Sequence, residues 1–348
     1  MVERDDRKMM RSSRIPSKLT IGFLPLYDIN GPSSRYRVFQ FLQPLEQQGF
    51  QCRFIPAPQR NLFKRLTYLP RLFLLALQSD VLFIQKRTLP IWVLNRLVHL
   101  NPRIIYDFDD AIYLQPAHKD CLDEMLRRVK MVIAGNEYLA SYARKYQSQV
   151  VVIPTVVDTD RYKPGVKAPR FGNERVILGW IGSDPNADGL ELLLPVFQWL
   201  EWRYGSGLVM RIIAGKNWRA NPSVPIVYVP WSLEISLNEL QRFDIGLAPL
   251  RDTEWNRGKC GLKLIQYMAV GIPAVASPVG VQSQIVEHNR SGFLVSSLED
   301  WRSALVNLIE NKLLRLQMGN EARRRAEACY SVRAVMPSLL DTIAQVAT

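Results

Sequence analysis

Arg257-Gly-Lys-Cys-Gly-Leu-Lys-Leu-Ile-Gln-Tyr-Met-Ala-Val-Gly-Ile-Pro-Ala-Val-Ala-Ser-Pro-Val-Gly280 packs a glycine-rich basic turn, a short helix and a buried strand into one unit. Gly258 and Gly261 let the backbone approach a ligand closely, and Lys259 and Lys263 bring positive charge to it. The helix that follows points its N-terminal N–H groups at the same place, so the unit reads as an anion-binding site. Gly271 stops the helix and Pro273 opens the strand Ala274-Val-Ala-Ser277. An ordinary helix cap with two solvated lysines is the competing reading of this segment taken alone.

The same alternation of apolar strands and helices extends in both directions. Upstream it predicts strands at 176–181, 208–214, 226–229 and 245–248, and helices at 190–204 and 233–242. Downstream come a strand at 292–295 and a helical tail from Leu298. A break rich in proline, glycine and charge, residues 158–173, separates this half from an earlier one. There, strands at 19–24, 51–56, 81–84, 103–106, 131–134 and 150–153 alternate with helical stretches, including one over 34–48 closed by Gly49. The reading is α/β: two tandem Rossmann-like, doubly wound parallel-sheet domains facing a cleft. The boundaries are a disordered basic leader 1–18, an N-terminal domain 19–157, the linker, a C-terminal domain 174–325 and a final helix 326–348 directed back toward the first domain.

The 348 residues carry a formal net charge of +13, which points to an acidic partner such as nucleotide phosphate or anionic lipid. Aromatic residues are not interleaved with arginines in an RNA-binding pattern, and no nucleic-acid partner is assigned. Cys52, Cys121, Cys260 and Cys329 are scattered without a CxxC pair and only three histidines occur, so no metal site is expected and a reducing, cytoplasmic setting is. The leader lacks an apolar core, and the run Leu72–Leu77 is too short to span a bilayer. Residues 60–73 set Leu62, Leu66, Leu69 and Phe73 on one helical face and Arg60, Lys64 and Arg71 on another, which suits either an anionic membrane surface or packing on the protein's own sheet.

Taken together, Gly179-Trp-Ile-Gly-Ser183, Phe243-Asp-Ile-Gly-Leu-Ala-Pro-Leu250, the Lys259–Ala269 unit, Pro273–Gly280, and Glu287 with Gly292-Phe-Leu-Val295 resemble the C-terminal half of retaining glycosyltransferases of the GT-B fold, family four. Within these the chain is similar to a bacterial branch with a Lys-Cys-Gly-x-Lys signature. Gly31-Pro-Ser-Ser-Arg-Tyr-Arg37, Gln85-Lys86, Tyr106-Asp-Phe-Asp-Asp110 and Asn136-Glu-Tyr-Leu139 extend the resemblance over about residues 19–345. It implies a nucleotide-diphosphate sugar as substrate, no cofactor and a glycan acceptor, while the net charge and basic leader point to membrane contact on the cytoplasmic face and so to a lipid-linked or envelope acceptor.

On that resemblance the donor is held by Gly182, Ser183, Gly258, Cys260, Gly261, Leu262 and Gln266, with Glu287 readable as a donor contact or an ordinary helix carboxylate and Lys216 as a nucleotide contact or a solvated loop lysine. Relatives carry a glutamate for the donor sugar at the place of Gly258 and one for the ribose at the place of Gln266. This chain departs at both. It also lacks the usual cations after the first strand of the second domain, where Ser183-Asp-Pro-Asn-Ala-Asp-Gly189 stands. Leaving-group stabilisation therefore falls to Lys259 and Lys263. Asp109 and Asp110, at the end of a strand, would orient an acceptor hydroxyl, although the literal Asp107-Phe-Asp109 also fits a metal-binding pair and a plain salt-bridged loop. Ser34, Arg35, Arg37, Lys86 and Asn136 would face acceptor or phosphate, the arginines being equally readable as exposed residues of a first helical turn. A binding protein that kept the fold and lost turnover remains a rival.

Overall fold

The structure, a computed structural model, describes residues 19–56, 67–165, 175–183, 187–215 and 225–348. The leader, Lys216, Leu62 and Leu66, and much of the expected linker lie outside them. Two six-stranded sheets organise the chain, in orders β2-β1-β3-β4-β5-β6 and β12-β11-β10-β7-β8-β9. The first contains β1 (Thr20–Leu24), β2 (Gln51–Phe54), β3 (Val81–Gln85), β4 (Ile104–Phe108), β5 (Met131–Ala134) and β6 (Val150–Val152). The second contains β7 (Val176–Ile181), β8 (Leu208–Ala214), β9 (Ile226–Pro230), β10 (Ile245–Ala248), β11 (Ala274–Ala276) and β12 (Gly292–Leu294). Every neighbouring pair is parallel. Strands such as β3, β4 and β5 are buried along their whole length, which is why they read as unbroken apolar runs. In each sheet the chain winds outward and then reverses, across β1/β3 and across β7/β10. The loops after these strands open on the switch-point crevices where ligands of such sheets bind.

Three expected helices come out differently. The stretch 34–48 splits into Pro32–Ser34, a π turn Arg35–Phe39 and Gln40–Gln47. The extra residue per turn buries Arg35, Tyr36, Arg37 and Val38 together, which an α-helical register does not do. The stretch 190–204 breaks into Asp188–Glu191 and Leu194–Tyr204, because Pro195 has no N–H to donate and its ring would clash with the carbonyl of Glu191. Only Ser236–Leu240 of 233–242 is helical.

The helical tail is three helices, Leu298–Glu310, Lys312–Cys329 and Val332–Ala347, each begun by a side-chain cap from Ser297, Asn311 or Ser331. The last leaves the second domain. Its Val335, Leu339, Ile343 and Val346 complete the core of the first domain against Ile21, Phe23, Val81 and Ile105. The two crossings between domains run side by side: Val157 N–H donates to Tyr330 O at 3.0 Å, and Val332 N–H to Val157 O at 3.2 Å.

Candidate functional site between the domains

Thr253 caps the short helix Glu254–Arg257, and the chain then turns through Gly258-Lys-Cys-Gly261 into the helix Leu262–Ala269. Gly261 is left-handed (φ 68°), and a Cβ there would stand 2.2 Å from Ile285 Cδ1, so glycine is required twice over. The turn is not open to solvent. Asn136 caps the helix Glu137–Ala143 with its oxygen, accepting from Leu139 N–H at 2.9 Å, and its Nδ2 reaches across the cleft to Gly258 O at 3.0 Å and Lys259 O at 3.2 Å. The same nitrogen lies 3.4 Å from Cys260 Sγ, and that thiol donates to Asp109 O at 3.3 Å. Burial and the charge of Asp109 push the Cys260 pKa up, so it acts as a thiol donor and not as a thiolate. Two glycines allow this approach: a Cβ on Gly135 would meet Cys260 Sγ at 2.4 Å, and one on Gly258 would meet Ala111 Cβ at 2.7 Å.

The acidic segment splits into two unlike parts. Asp107 is buried on β4 and both its oxygens accept from Arg37 Nε at 3.1 Å, while Arg37 Nη1 donates to Ile153 O at 2.8 Å. Arg37 is therefore a buried structural partner of Asp107, which corrects its expected place at a phosphate. Asp109 and Asp110, past the strand end, share Lys86: its Nζ lies 3.1 Å from Asp109 Oδ1 and also pairs with Asp110. Burial works against the Lys86 ammonium, but the two carboxylates outweigh it and hold its pKa above the ordinary lysine value. Lys86 is pinned with φ 57°, its N–H donating to Asp107 O at 2.6 Å. Across the cleft, Lys259 Nζ stands 3.3 Å from Asp110 Oδ1 and 5.1 Å from the ring centre of Trp255.

Lys263 points elsewhere, over the face of Trp180 at 4.4 Å from the ring centre. Burial, aided by the charge of Lys259 and opposed by Asp188, brings its pKa down to about 7. Gly182 and exposed Ser183 leave β7 beside it, the glycine lacking the Cβ that would press on Trp180 at 2.5 Å.

The remaining expected residues are placed as follows. Gln266 is buried and its Nε2 donates to Tyr36 Oη at 2.8 Å, joining a Tyr36–Tyr162 hydroxyl pair that bridges the domains. Ser34 is buried in the first loop, donating to Gln85 Oε1 at 2.7 Å and accepting from Tyr27 N–H at 2.9 Å. Arg35 is buried, not exposed: Nη1 donates to Ile29 O and Asn30 O, and the guanidinium stacks on Tyr36 and on Trp231 of the second domain. Glu287 falls in a loop after the helix Gln282–Ile285, which starts before the expected Gln284, and pairs with Arg325 at 2.6 Å and Arg290 at 3.3 Å. Its carboxylate is thus occupied by the helix Lys312–Cys329 and not by the cleft. The sequence alone does not single out Trp180, Trp231, Tyr36 or Tyr162 as site residues. A tryptophan inside the Gly179–Ser183 motif at a switch-point strand end is the one signal that could have marked Trp180. A cavity of 410 Å³ opens on the hinge side of the turn, lined by Asn136, Cys260, Gln284, Ile285, Cys329 and Tyr330 among others.

Residues 175–311 match the family model described as Glycosyl transferases group 1. Sucrose-phosphate synthase of Thermosynechococcus elongatus superposes with a TM-score of 0.73 at 14% identity, covering 94% of this chain and 99% of that one. HepE of Anabaena, solved with UDP and glucose, gives 0.71 at 14% identity over 93% and 99%. WaaG, a glycosyltransferase involved in lipopolysaccharide biosynthesis, gives 0.68 at 12% identity over 95% and 100%. No curated protein matches the sequence. With that domain match and that fold, the chain is a glycosyltransferase of GT-B architecture.

Proposed function

We propose that the protein moves a sugar from a nucleotide-diphosphate donor to an envelope, polysaccharide or lipid-linked glycan, with retention of configuration and without a metal. The observation that carries this reading is the pair Lys259 and Lys263 at the N-terminus of the helix Leu262–Ala269, the first facing Asp110 of the other domain and the second lying over Trp180 beside Gly182. The diphosphate would lie between Gly182, Lys263 and the helix N-terminus. There two ammonium groups and aligned N–H groups stabilise the charge that develops as the sugar–phosphate bond breaks. Asp110 is the group within reach of an acceptor hydroxyl. Gly258 is held against Ala111, so the donor sugar contacts backbone where relatives offer a glutamate. A metal held by Asp107 and Asp109 is the weaker alternative, because Arg37 occupies both oxygens of Asp107.

HepE bound to UDP supports uridine diphosphate sugars as the first donors to test, and WaaG supports an envelope acceptor. Incubation with labelled UDP-, GDP- and ADP-sugars and membrane extract is expected to give label transfer that survives chelator. Nucleotide binding with neither transfer nor donor hydrolysis would leave the inactive-binder rival standing instead.

The reading also places the protein on the cytoplasmic side of a membrane, supported by four free cysteines and the positive charge. No helix among the described residues is long and apolar enough to cross a bilayer. Leu69 and Phe73, on the face that suited either lipid or the protein's own sheet, pack against the protein's own core. The lipid-facing surface is instead Leu74 and Leu77 with Ile91 and the 60% exposed Trp92, on the neighbouring helices Tyr68–Leu77 and Ile91–Leu100. Residues 57–103 carry eight lysines and arginines against one aspartate, which suits anionic head groups. Vesicles rich in phosphatidylglycerol are expected to sediment the protein. The change Trp92→Ser with Leu77→Ser weakens this about tenfold, and equal binding to phosphatidylcholine vesicles would rule the charge contribution out.

A further inference from the structure

Lys259 stands between two places that both need it. On one side it pairs with Asp110 Oδ1 at 3.3 Å, and on the other its charge is felt by Lys263, the cation of the donor side. The cross-cleft cluster is balanced, with Asp107, Asp109 and Asp110 set against Arg37, Lys86 and Lys259. Arg37 and Lys86 are committed. The first is buried on Asp107, and the second is fixed by its left-handed backbone and by contacts to Asp109, Asp110 and Ser33. Lys259 is the member contributed by the second domain, with its side chain a quarter exposed (26%). Asn136 grips this turn by the main-chain oxygens of Gly258 and Lys259, so the ammonium can swing while the clasp stays shut.

We propose that Lys259 and Asp110 form an interlock between the donor and acceptor sites: Asp110 holds Lys259 off the diphosphate position, and a bound diphosphate draws Lys259 away and frees Asp110 for the acceptor hydroxyl. The inference rests on the sugar-transfer reading above. It follows that the donor binds before the acceptor is engaged. One cation cannot neutralise both anions, and a carboxylate shared by two lysines is a poor hydrogen-bond acceptor for a hydroxyl. Once Lys259 leaves, Asp110 keeps only Lys86 as its ion-pair partner, and its Oδ1 is open to accept a hydrogen bond from the acceptor hydroxyl.

UDP titration by calorimetry at low salt tests this, with melting temperatures recorded for every variant and uridine as control. Asp110→Asn is expected to tighten UDP about fivefold by releasing Lys259, the size of one partly exposed ion pair. Asp110→Ser does the same should the asparagine variant fold poorly. Lys259→Met weakens UDP, and in the Lys259→Met background Asp110→Asn leaves UDP affinity unchanged. Weaker or unaltered UDP binding in Asp110→Asn and Asp110→Ser overturns the interlock. So does an equal tightening in the Lys259→Met background, which would reflect the general field of the carboxylate. If the wild-type protein binds none of UDP, GDP and ADP, the sugar-transfer reading falls and the interlock with it.

Discussion

Replacing Lys263 with alanine is expected to weaken nucleoside diphosphate binding about 30-fold while leaving the nucleoside within about twofold, since a charge-assisted contact to phosphate contributes roughly 2 kcal/mol. The side chain lies over the indole of Trp180 and feels the charge of Lys259. Equal losses for UDP and uridine would show that the lysine only supports the local fold. The effect carries a pH signature. With its pKa near 7, Lys263 is largely neutral at pH 8 and must take up a proton when a diphosphate arrives. Affinity therefore falls as pH rises above 7, by up to about tenfold per unit, and calorimetry in buffers of different ionisation enthalpy reads the proton directly. For stability the sign is the opposite of a salt-bridged lysine. Folding penalises the charged form, so the cost is full below pH 7 and disappears as pH rises from about 7 toward the ordinary lysine value. Lys263→Met accordingly raises the melting temperature at pH 6 and has no such effect at pH 10.

Arg37→Ala is expected to lower stability by about 4 kcal/mol, because it leaves the Asp107 carboxylate in the first core without its ion-pair partner. The double change Arg37→Met with Asp107→Leu recovers most of that loss, as replacing both partners of a buried pair leaves no uncompensated charge. Urea unfolding of the three proteins checks both statements. An unchanged midpoint for Arg37→Ala together with a sharp loss of UDP affinity would return Arg37 to the phosphate role that its sequence neighbourhood suggests. Burial pushes the Asp107 pKa up while Arg37 pulls it down, so the single variant is also expected to hold Asp107 protonated at neutral pH.

The strands were legible because parallel sheets covered on both faces need continuous apolar runs: β5, β7, β8 and β10 run between the residues that the periodicity marks. The helices were less so where one residue overrules periodicity, as Pro195 does, or where tertiary burial forces a π turn, as at Arg35–Phe39. In the cleft, the glycines and lysines of the 258–263 turn announce themselves by composition. Their partners do not. Asn136 is more than 120 residues from the carbonyls it grips, and Asp107 is 70 residues from Arg37. Charge pattern alone cannot tell a solvated arginine from one that folds onto a carboxylate so far along the chain. Gln266 shows the same limit: its amide could serve a ribose, yet its Nε2 is used by Tyr36 of the other domain.

The helix Val332–Ala347 follows the whole second domain along the chain, yet Val335, Leu339, Ile343 and Val346 roof the face of the sheet that begins at Thr20. On the ribosome the second domain can therefore close its own core while the first still shows Ile21, Phe23, Val81 and Ile105 to water. The N-terminal domain is the later of the two to finish, because its core waits for the helix that lies beyond the crossing at Val157 and Tyr330. A chaperone that shields apolar surface would have its client in the first domain until the helix Val332–Ala347 has emerged.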